Sequence, residues 1–289
     1  MRIGIVAKPG LADARDTLRA LAAWLRERGH EALWSPEAAA LLDGLDGSVR
    51  ERDALPGGCD LVVVLGGDGT LLAMADRIAR GSDDVPILRV NFGSLGFLTE
   101  ITRPELFAAL DDVVSGRATL DERMMLTAAV QRGAESAHQT VVLNDVVFTR
   151  TALSRIIDLA VWVGDQFVTT VRADGLIIAS PTGSTAYNLA AGGPIVHPAM
   201  EAFVLTPIAP HTLSNRPIVV PAARDIRVTV TEANADAEVY VSFDGQSGLP
   251  LERGDEVIVG RAPRPVKLVR ATTRTYFEVL RQKLKWGER

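Results

Sequence analysis

Two stretches of this chain carry residue types and spacings that could do chemistry. The first is Gly66-Gly67-Asp68-Gly69-Thr70, directly behind the apolar run at residues 61–65 and ahead of the amphipathic segment at residues 71–80. A strand, a glycine-rich turn and a helix start bring backbone N–H groups together, and the helix dipole adds positive potential, so the arrangement suits an anion. Asp68 is the odd member. A carboxylate among phosphate-binding amides is repulsive unless it meets a cation or takes a proton, and this points toward phosphoryl chemistry. The second stretch runs from Arg172-Ala173-Asp174-Gly175 to Gly193-Pro194. Between Ser180 and Pro194 it gathers hydroxyls, an amide and a phenol around a short helix start, a set that binds phosphate or ribose well. Asp174 precedes a fully apolar run, an expensive place for a carboxylate without a partner.

Each feature has a plainer account. Tight βα turns use glycine for positive φ and aspartate as a cap. Three glycines exceed the need of one turn, however, and Thr70 is already available as a cap. The turn has no G-x-x-x-x-G-K-[ST] pattern and lacks the third glycine of the dinucleotide fingerprint. In Asn91-Phe92-Gly93-Ser94-Leu95-Gly96-Phe97, core packing accounts for at least one aromatic ring, while the other could stack on a base. Ser184 or Thr185 could simply cap the short helix, although that leaves Pro181, Tyr187 and Asn188 unexplained. Asn144-Asp145 interrupts a β-run where both residues are disfavoured, which fits a bulge, a turn or a ribose-binding pair. His211, between Pro210 and Thr212, is a lone histidine, a type that is more often structural. Four scattered histidines and one cysteine make no metal-ligand spacing, so no protein-bound metal is expected.

These residues must be held by an α/β framework followed by a β-rich one. Residues 3–7 and 61–65 read as strands, residues 13–28 as a helix, and residues 43–60 as loop. Helix 71–80, strand 87–91 and helix 104–115 continue an alternation that implies a parallel sheet covered by helices. From about Arg123 the texture becomes β-rich, with runs at 124–131, 141–150, 156–163, 166–171, 176–179, 226–231, 239–243 and 256–259. One helical interruption is expected at 185–191, and helix returns at 275–286. The expected division is an α/β domain over 1–122, a β-rich domain over 123–270, and a C-terminal segment, 271–289, packing back on the first domain.

At 289 residues the chain is long enough for two domains. A formal net charge of -5 argues against a general nucleic-acid binder, which would present a basic face. No apolar run has the length of a transmembrane helix. The first residues read as a strand without signal-peptide architecture, and the single cysteine, Cys59, suggests a reducing compartment. A cytoplasmic protein that touches neither membrane nor nucleic acid is expected.

Taken together, Gly66–Thr70, Asn91–Phe97, Asn144-Asp145, Arg172–Gly175, Pro181–Pro194, Pro210–Pro217 and Asp244-Gly245-Gln246 resemble the motifs of bacterial NAD kinases, in family order over nearly the whole chain. The turn alone is shared with diacylglycerol-type lipid kinases and phosphofructokinases; Arg172–Gly175 with Pro181–Pro194 is far more specific. The resemblance implies a Rossmann-like N-terminal α/β domain, a mainly antiparallel β-sandwich-like C-terminal domain, and a C-terminal helix returning to the first. It implies transfer of the γ-phosphoryl of ATP to the 2′-hydroxyl of the adenosine ribose of NAD, giving NADP. On that pattern Asp68 would stand against the hydroxyl as base or orienting acceptor, and Gly66, Gly67, Gly69 and Thr70 would face phosphates. NAD would meet Asp68, Gly69, Phe97, Asn144, Asp145, Arg172, Asp174, Thr182, Thr185, Ala186, Tyr187, Asn188, Leu189, Ala190 and His211, with Arg155 and Gln246 as weaker candidates. The family usually has Asn-Glu where this chain has Asn144-Asp145, a carboxylate shorter by one methylene, so that contact is expected to be longer or water-bridged. Mg²⁺ is expected to enter with ATP. A homodimer or homotetramer is implied. Because Asp174 belongs to the second domain and Asp68 to the first, Asp174 is expected to serve a neighbour's Asp68.

A carboxylate is by its chemistry a weak base for a ribose hydroxyl. Two roles stay open for Asp68: late acceptance of the proton, or orientation of the nucleophile. Two other functions compete. A diacylglycerol-type lipid kinase would need an apolar or basic membrane face, and no basic amphipathic helix is found. A non-catalytic dinucleotide-binding sensor would have no use for the costly Asp68.

Overall fold

The computed structural model describes residues 1–42, 47–81, 84–92, 96–98, 101–151, 156–212, 214–231, 238–270 and 274–286. Contacts divide the chain into two units, Met1–Glu122 with Val266–Arg289, and Arg123–Pro265.

In the first unit the order is β1 (Arg2–Ala7), α1 (Arg15–Glu27), β2 (Glu31–Trp34), α2 (Pro36–Ala39), β3 (Ser48–Val49), β4 (Leu61–Leu65), α3 (Asp68–Arg80), β5 (Ile87–Asn91), β6 (Ile101–Thr102), α4 (Leu106–Val114) and β7 (Leu120–Arg123). The strands form one sheet in the order β3-β2-β1-β4-β5, with β6 also beside β5. The pairs β1–β2, β1–β4 and β4–β5 are parallel. β4 is buried along its whole length, as a strand covered on both faces must be. Successive residues of β4 and β5 point to opposite faces. Leu61, Val63 and Leu65 join Leu88 and Val90 in the core packed by α1, while Val62, Val64, Ile87 and Arg89 face the other way. The alternation thus puts a charged residue, Arg89, on a buried face.

The second unit contains β8 (Leu126–Arg132), β9 (Glu135–Val142), β10 (Asp145–Arg150), β11 (Ile157–Val163), β12 (Gln166–Ala173), β13 (Gly175–Ala179), α5 (Tyr187–Ala190), β14 (Ala202–Ile208), β15 (Ile218–Pro221), β16 (Ile226–Val230), β17 (Val239–Phe243), β18 (Ser247–Leu251) and β19 (Glu256–Arg261). They make two six-stranded sheets, β15-β14-β13-β10-β17-β18 and β12-β11-β16-β19-β8-β9. One hydrophobic core draws on both, including Phe148, Phe203 and Phe243 from the first and Leu159, Val228 and Val257 from the second. The expected continuous run at 141–150 is in fact two strands in different sheets, β9 and β10, separated by a bend at Leu143-Asn144.

The chain then returns to the first unit with β20 (Val266–Val269), parallel to β5, and α6 (Tyr276–Leu284). α6 starts with a capping box in which Thr275 and Glu278 satisfy each other's backbone N–H groups. No helix among the described residues is long and apolar enough to cross a membrane.

Candidate functional site

The glycine-rich turn opens a helix earlier than expected. α3 begins at Asp68, with Gly67 at the N-cap, and no side chain makes a capping hydrogen bond there. Thr70 is instead buried in the first turn, and its N–H bonds to the Gly67 carbonyl at 3.1 Å. The first-turn amides are therefore not occupied by a side-chain cap, the condition an anion site needs. Gly66 sits at φ +156°, and a Cβ there would stand 2.9 Å from Thr70 Oγ1 and 3.0 Å from Lys8 Cβ. This position requires glycine for both conformation and space.

A cleft of about 330 Å³ lies against the turn, lined by Lys8, Leu11, Gly66, Gly67, Asp68, Arg89, Asn91, Phe92, Gly96 and Lys283. Three cations thus line one cleft, from the end of β1, from β5 and from α6. Arg89 has only 5% of its side chain exposed, whereas Asp68 has 55%. Arg89 Nη1 stands 2.5 Å from Asp68 Oδ1. The contact lacks hydrogen-bond alignment, and Arg89 Nε has no partner among the described residues. Burial pushes the Arg89 pKa down while Asp68 opposes that shift. Of the two aromatic rings, Phe92 packs against the core and lies beneath the Arg103 guanidinium, 4.8 Å from the ring centroid. Phe97 is half-buried with Lys283 Nζ 5.9 Å from its ring.

In the second unit the Asn144-Asp145 bend is fixed from far away in sequence. The Asp244 carboxylate accepts N–H bonds from Leu143 at 2.8 Å, Asn144 at 2.7 Å and Asp145 at 3.0 Å. Asp244 itself adopts φ +50° in the turn after β17. This staple separates β9 from β10 and turns Asn144 out of the sheet pattern. Asp145 is buried at 5% exposure, and burial, with the Asp244 charge as a second cause, pushes its pKa up to about 7. Asn144 Oδ1 and Thr182 Oγ1 are buried without hydrogen-bond partners among the described residues. Two such acceptors in one unit leave hydrogen-bonding capacity for a ligand or water.

The segment 180–194 is built from inside. A Cβ on Gly183 would collide with the Asn144 carbonyl, so glycine lets the segment lie directly on the bend. Ser184 donates to the Pro181 carbonyl at 2.6 Å and accepts from Val196 N at 3.0 Å; it is a brace rather than a helix cap. Thr185 donates to the Thr182 carbonyl at 3.2 Å. Asn188 is fully buried and its amide is spent internally, with Nδ2 donating to Ser184 O and Pro194 O and Oδ1 accepting from Thr206. Its position makes it a brace of the segment, not part of its surface. Tyr187 is 46% exposed and Ala190 is exposed, while Ala186 and Leu189 are half-buried.

Asp174 has the partner that its place in the sequence demanded. It lies in the break between β12 and β13, 35% exposed, with Arg150 Nε at 2.8 Å from Oδ1. Arg172 is exposed, and its carbonyl accepts the N–H of His211, which is also exposed. Gln246 is exposed in the turn after β17. Arg155 lies outside the described residues. Sequence reasoning did not name Lys8, Arg89, Lys283 or Arg150 as site residues, and it met Asp244 only as part of the motif Asp244-Gly245-Gln246. For Arg89 the signal was present, because a charged residue inside the apolar run Ile87-Leu88-Arg89-Val90 is rarely buried without a partner.

Two family models match the chain: the ATP-NAD kinase N-terminal domain over residues 3–118 and the ATP-NAD kinase C-terminal domain over residues 143–271. The chain belongs to the ATP-NAD kinase family. Among its relatives, the NAD kinase of Syntrophotalea carbinolica is 48% identical over 288 residues, covering 100% of this chain and 99% of the relative. That of Geobacter sulfurreducens is 49% identical over 288 residues with the same coverage. Among solved structures, yeast NADH kinase complexed with NADH matches with a TM-score of 0.90 at 27% identity, covering 100% of this chain and 89% of that one. An NAD kinase from Archaeoglobus fulgidus in complex with ATP matches with a TM-score of 0.76 at 25% identity, covering 99% of both. NAD kinase matches span both units, and neither the lipid kinase nor the sensor reading finds support.

Proposed function

We infer that this NAD kinase transfers the γ-phosphoryl of ATP to the 2′-hydroxyl of the adenosine ribose of NAD through the cleft at the Gly66–Asp68 turn. The observation that supports this placement is a half-exposed carboxylate on an uncapped helix N-terminus, in a cleft lined by Lys8, Arg89 and Lys283. Phosphoryl transfer needs alignment and charge neutralisation more than covalent catalysis, and this cleft offers both. The open amides of the turn and the two lysines hold donor phosphates; Asp68 orients the acceptor hydroxyl and takes its proton as the bond to phosphorus forms.

Mg²⁺ is proposed to enter as an ion carried by the phosphates of ATP. When bound it neutralises phosphate charge. On the acceptor side, Asn144, Asp145 and Thr182 provide the unsatisfied or titratable buried groups for ribose and nicotinamide polar atoms, and Tyr187 offers an exposed ring to a base. We place the enzyme in the cytoplasm as a homodimer or homotetramer, the latter point checked by light scattering. Cys59 sets no demand for an oxidising compartment: it is buried, donates to the Leu55 carbonyl at 2.9 Å, and its thiol is pushed up to about 12.

One assay tests this reading. With ATP, Mg²⁺ and NAD, an NADP-specific dehydrogenase should detect NADP, and folded protein giving none at saturating substrate overturns it. In the same assay Tyr187→Ala should raise the KM for NAD well above its effect on ATP, since a base-stacking ring contributes roughly 1–3 kcal/mol. Equal effects on both substrates would take the ring out of the NAD site.

A further inference from the structure

A carboxylate inside an anion-binding turn needs a reason to be there, and the fold provides one from beneath. Arg89 projects from the middle of β5 on the face opposite Leu88 and Val90, and it is buried at 5% exposure. An arginine in that place is costly unless paired. Its Nη1 is 2.5 Å from Asp68 Oδ1, and its Nη2 reaches the Gly66 carbonyl at 3.5 Å. The guanidinium therefore touches both ends of the Gly66–Asp68 turn. Among the described residues Oδ1 is the only Asp68 carboxylate oxygen with a side-chain partner, and the Asp68 side chain as a whole is 55% exposed, which leaves Oδ2 unengaged by any side chain.

We propose that Arg89 is a positioning residue for phosphoryl transfer, clamping one oxygen of Asp68 so that the other is presented to the acceptor hydroxyl. The proposal rests on the NAD kinase reading above, with Asp68 as the group that meets the hydroxyl. The clamp has two consequences. A buried guanidinium held on β5 restrains the position of the one carboxylate oxygen it faces. It also lets a negative charge remain in a turn that must accept phosphates, because the local charge of the pair is near zero.

The test is a double-mutant cycle in the coupled NADP assay, using Arg89→Met, Asp68→Asn and the double variant. Methionine matches the long unbranched stem, and replacing a buried charge with an apolar side chain is often tolerated. Arg89→Met should lower kcat by roughly 10–100-fold, the scale of a misplaced catalytic group, with KM values for ATP and NAD little changed. Arg89→Lys should recover part of that loss. In the Asp68→Asn background, adding Arg89→Met should change kcat by less than about twofold, because a residue acting through Asp68 has nothing left to position.

Multiplicative losses in the double variant, or a loss concentrated in the KM for ATP, would overturn the proposal and make Arg89 a direct phosphate ligand. So would an Arg89→Met kcat equal to that of the wild type. Thermal unfolding establishes that each variant is folded; should the methionine variant not fold, Arg89→Lys in both backgrounds runs the same cycle. A wild-type enzyme that makes no NADP sinks the functional reading itself, whereas active wild type with an unimpaired Arg89→Met removes only the role of Arg89.

Discussion

Asp68→Asn is expected to lower kcat for NADP formation by roughly 10²–10⁴-fold, the range for a positioned acid–base group. The amide has the carboxylate's shape and keeps the first turn of α3, but it has no proton affinity at neutral pH. KM values for ATP and NAD should stay close to wild type, since the turn amides, Lys8 and Lys283 are untouched. The substitution also leaves Arg89 facing an amide instead of an anion. An unpaired buried charge is destabilising, although the amide oxygen remains available to the guanidinium and the site is half open to water. Rates must therefore be normalised to the folded fraction from an unfolding curve. A folded variant with activity within a few-fold of wild type would show that another group handles the acceptor hydroxyl.

The turn was legible because every feature of it is local. An apolar strand, glycines and an amphipathic helix lie in sequence within residues 61–80, and backbone geometry alone makes that a candidate anion site. What completes the turn is not local. Arg89 reaches Asp68 only because β5 lies beside β4 in the parallel sheet, a neighbour relation that no periodicity discloses. Lys283 reaches the same cleft only because the chain comes back through β20 and α6. In the second unit the β-propensity of residues 141–150 concealed a strand break made by Asp244, about a hundred residues away. β14 was missed for a different reason. Its Pro207 argues against a central strand, yet β15 covers only Ala202–Leu205, so the missing N–H falls where the ladder is one-sided.

Asn188 is a motif residue whose side chain could bind a ligand but is engaged within the fold. The fold consumes that amide internally, and the hydrogen bonds to Ser184, Pro194 and Thr206 give it work enough. A polar side chain in a motif and a polar side chain available to a ligand are different things, and only burial with partner accounting separates them.

Asp145→Asn is expected to stabilise the ligand-free protein at alkaline pH and to weaken its grip on NAD. The sign follows from protons. The Asp145 pKa is raised from 3.8 to about 7 by burial first and by the Asp244 charge second. Between those values the folded state holds a proton that the unfolded chain has lost, so stability falls as pH rises and the penalty is complete only above about 7. A shift of that size corresponds to a penalty on the order of 4 kcal/mol at pH 8. Asparagine cannot ionise and escapes it, but its own buried amide needs partners, at about 1–3 kcal/mol. Urea unfolding at pH 8 should therefore find the variant more stable by roughly 1–3 kcal/mol, with the advantage gone by about pH 4. NAD binding runs the other way. If ribose or nicotinamide donors bond the ionised carboxylate, binding must expel its proton, and the wild-type KM for NAD should fall up to tenfold per pH unit until about pH 7. The asparagine variant should show a raised KM with no such slope. A stability difference that does not change with pH would mean that Asp145 is not protonated in the free enzyme, and a pH-dependent KM that survives the substitution would assign the titration to another group.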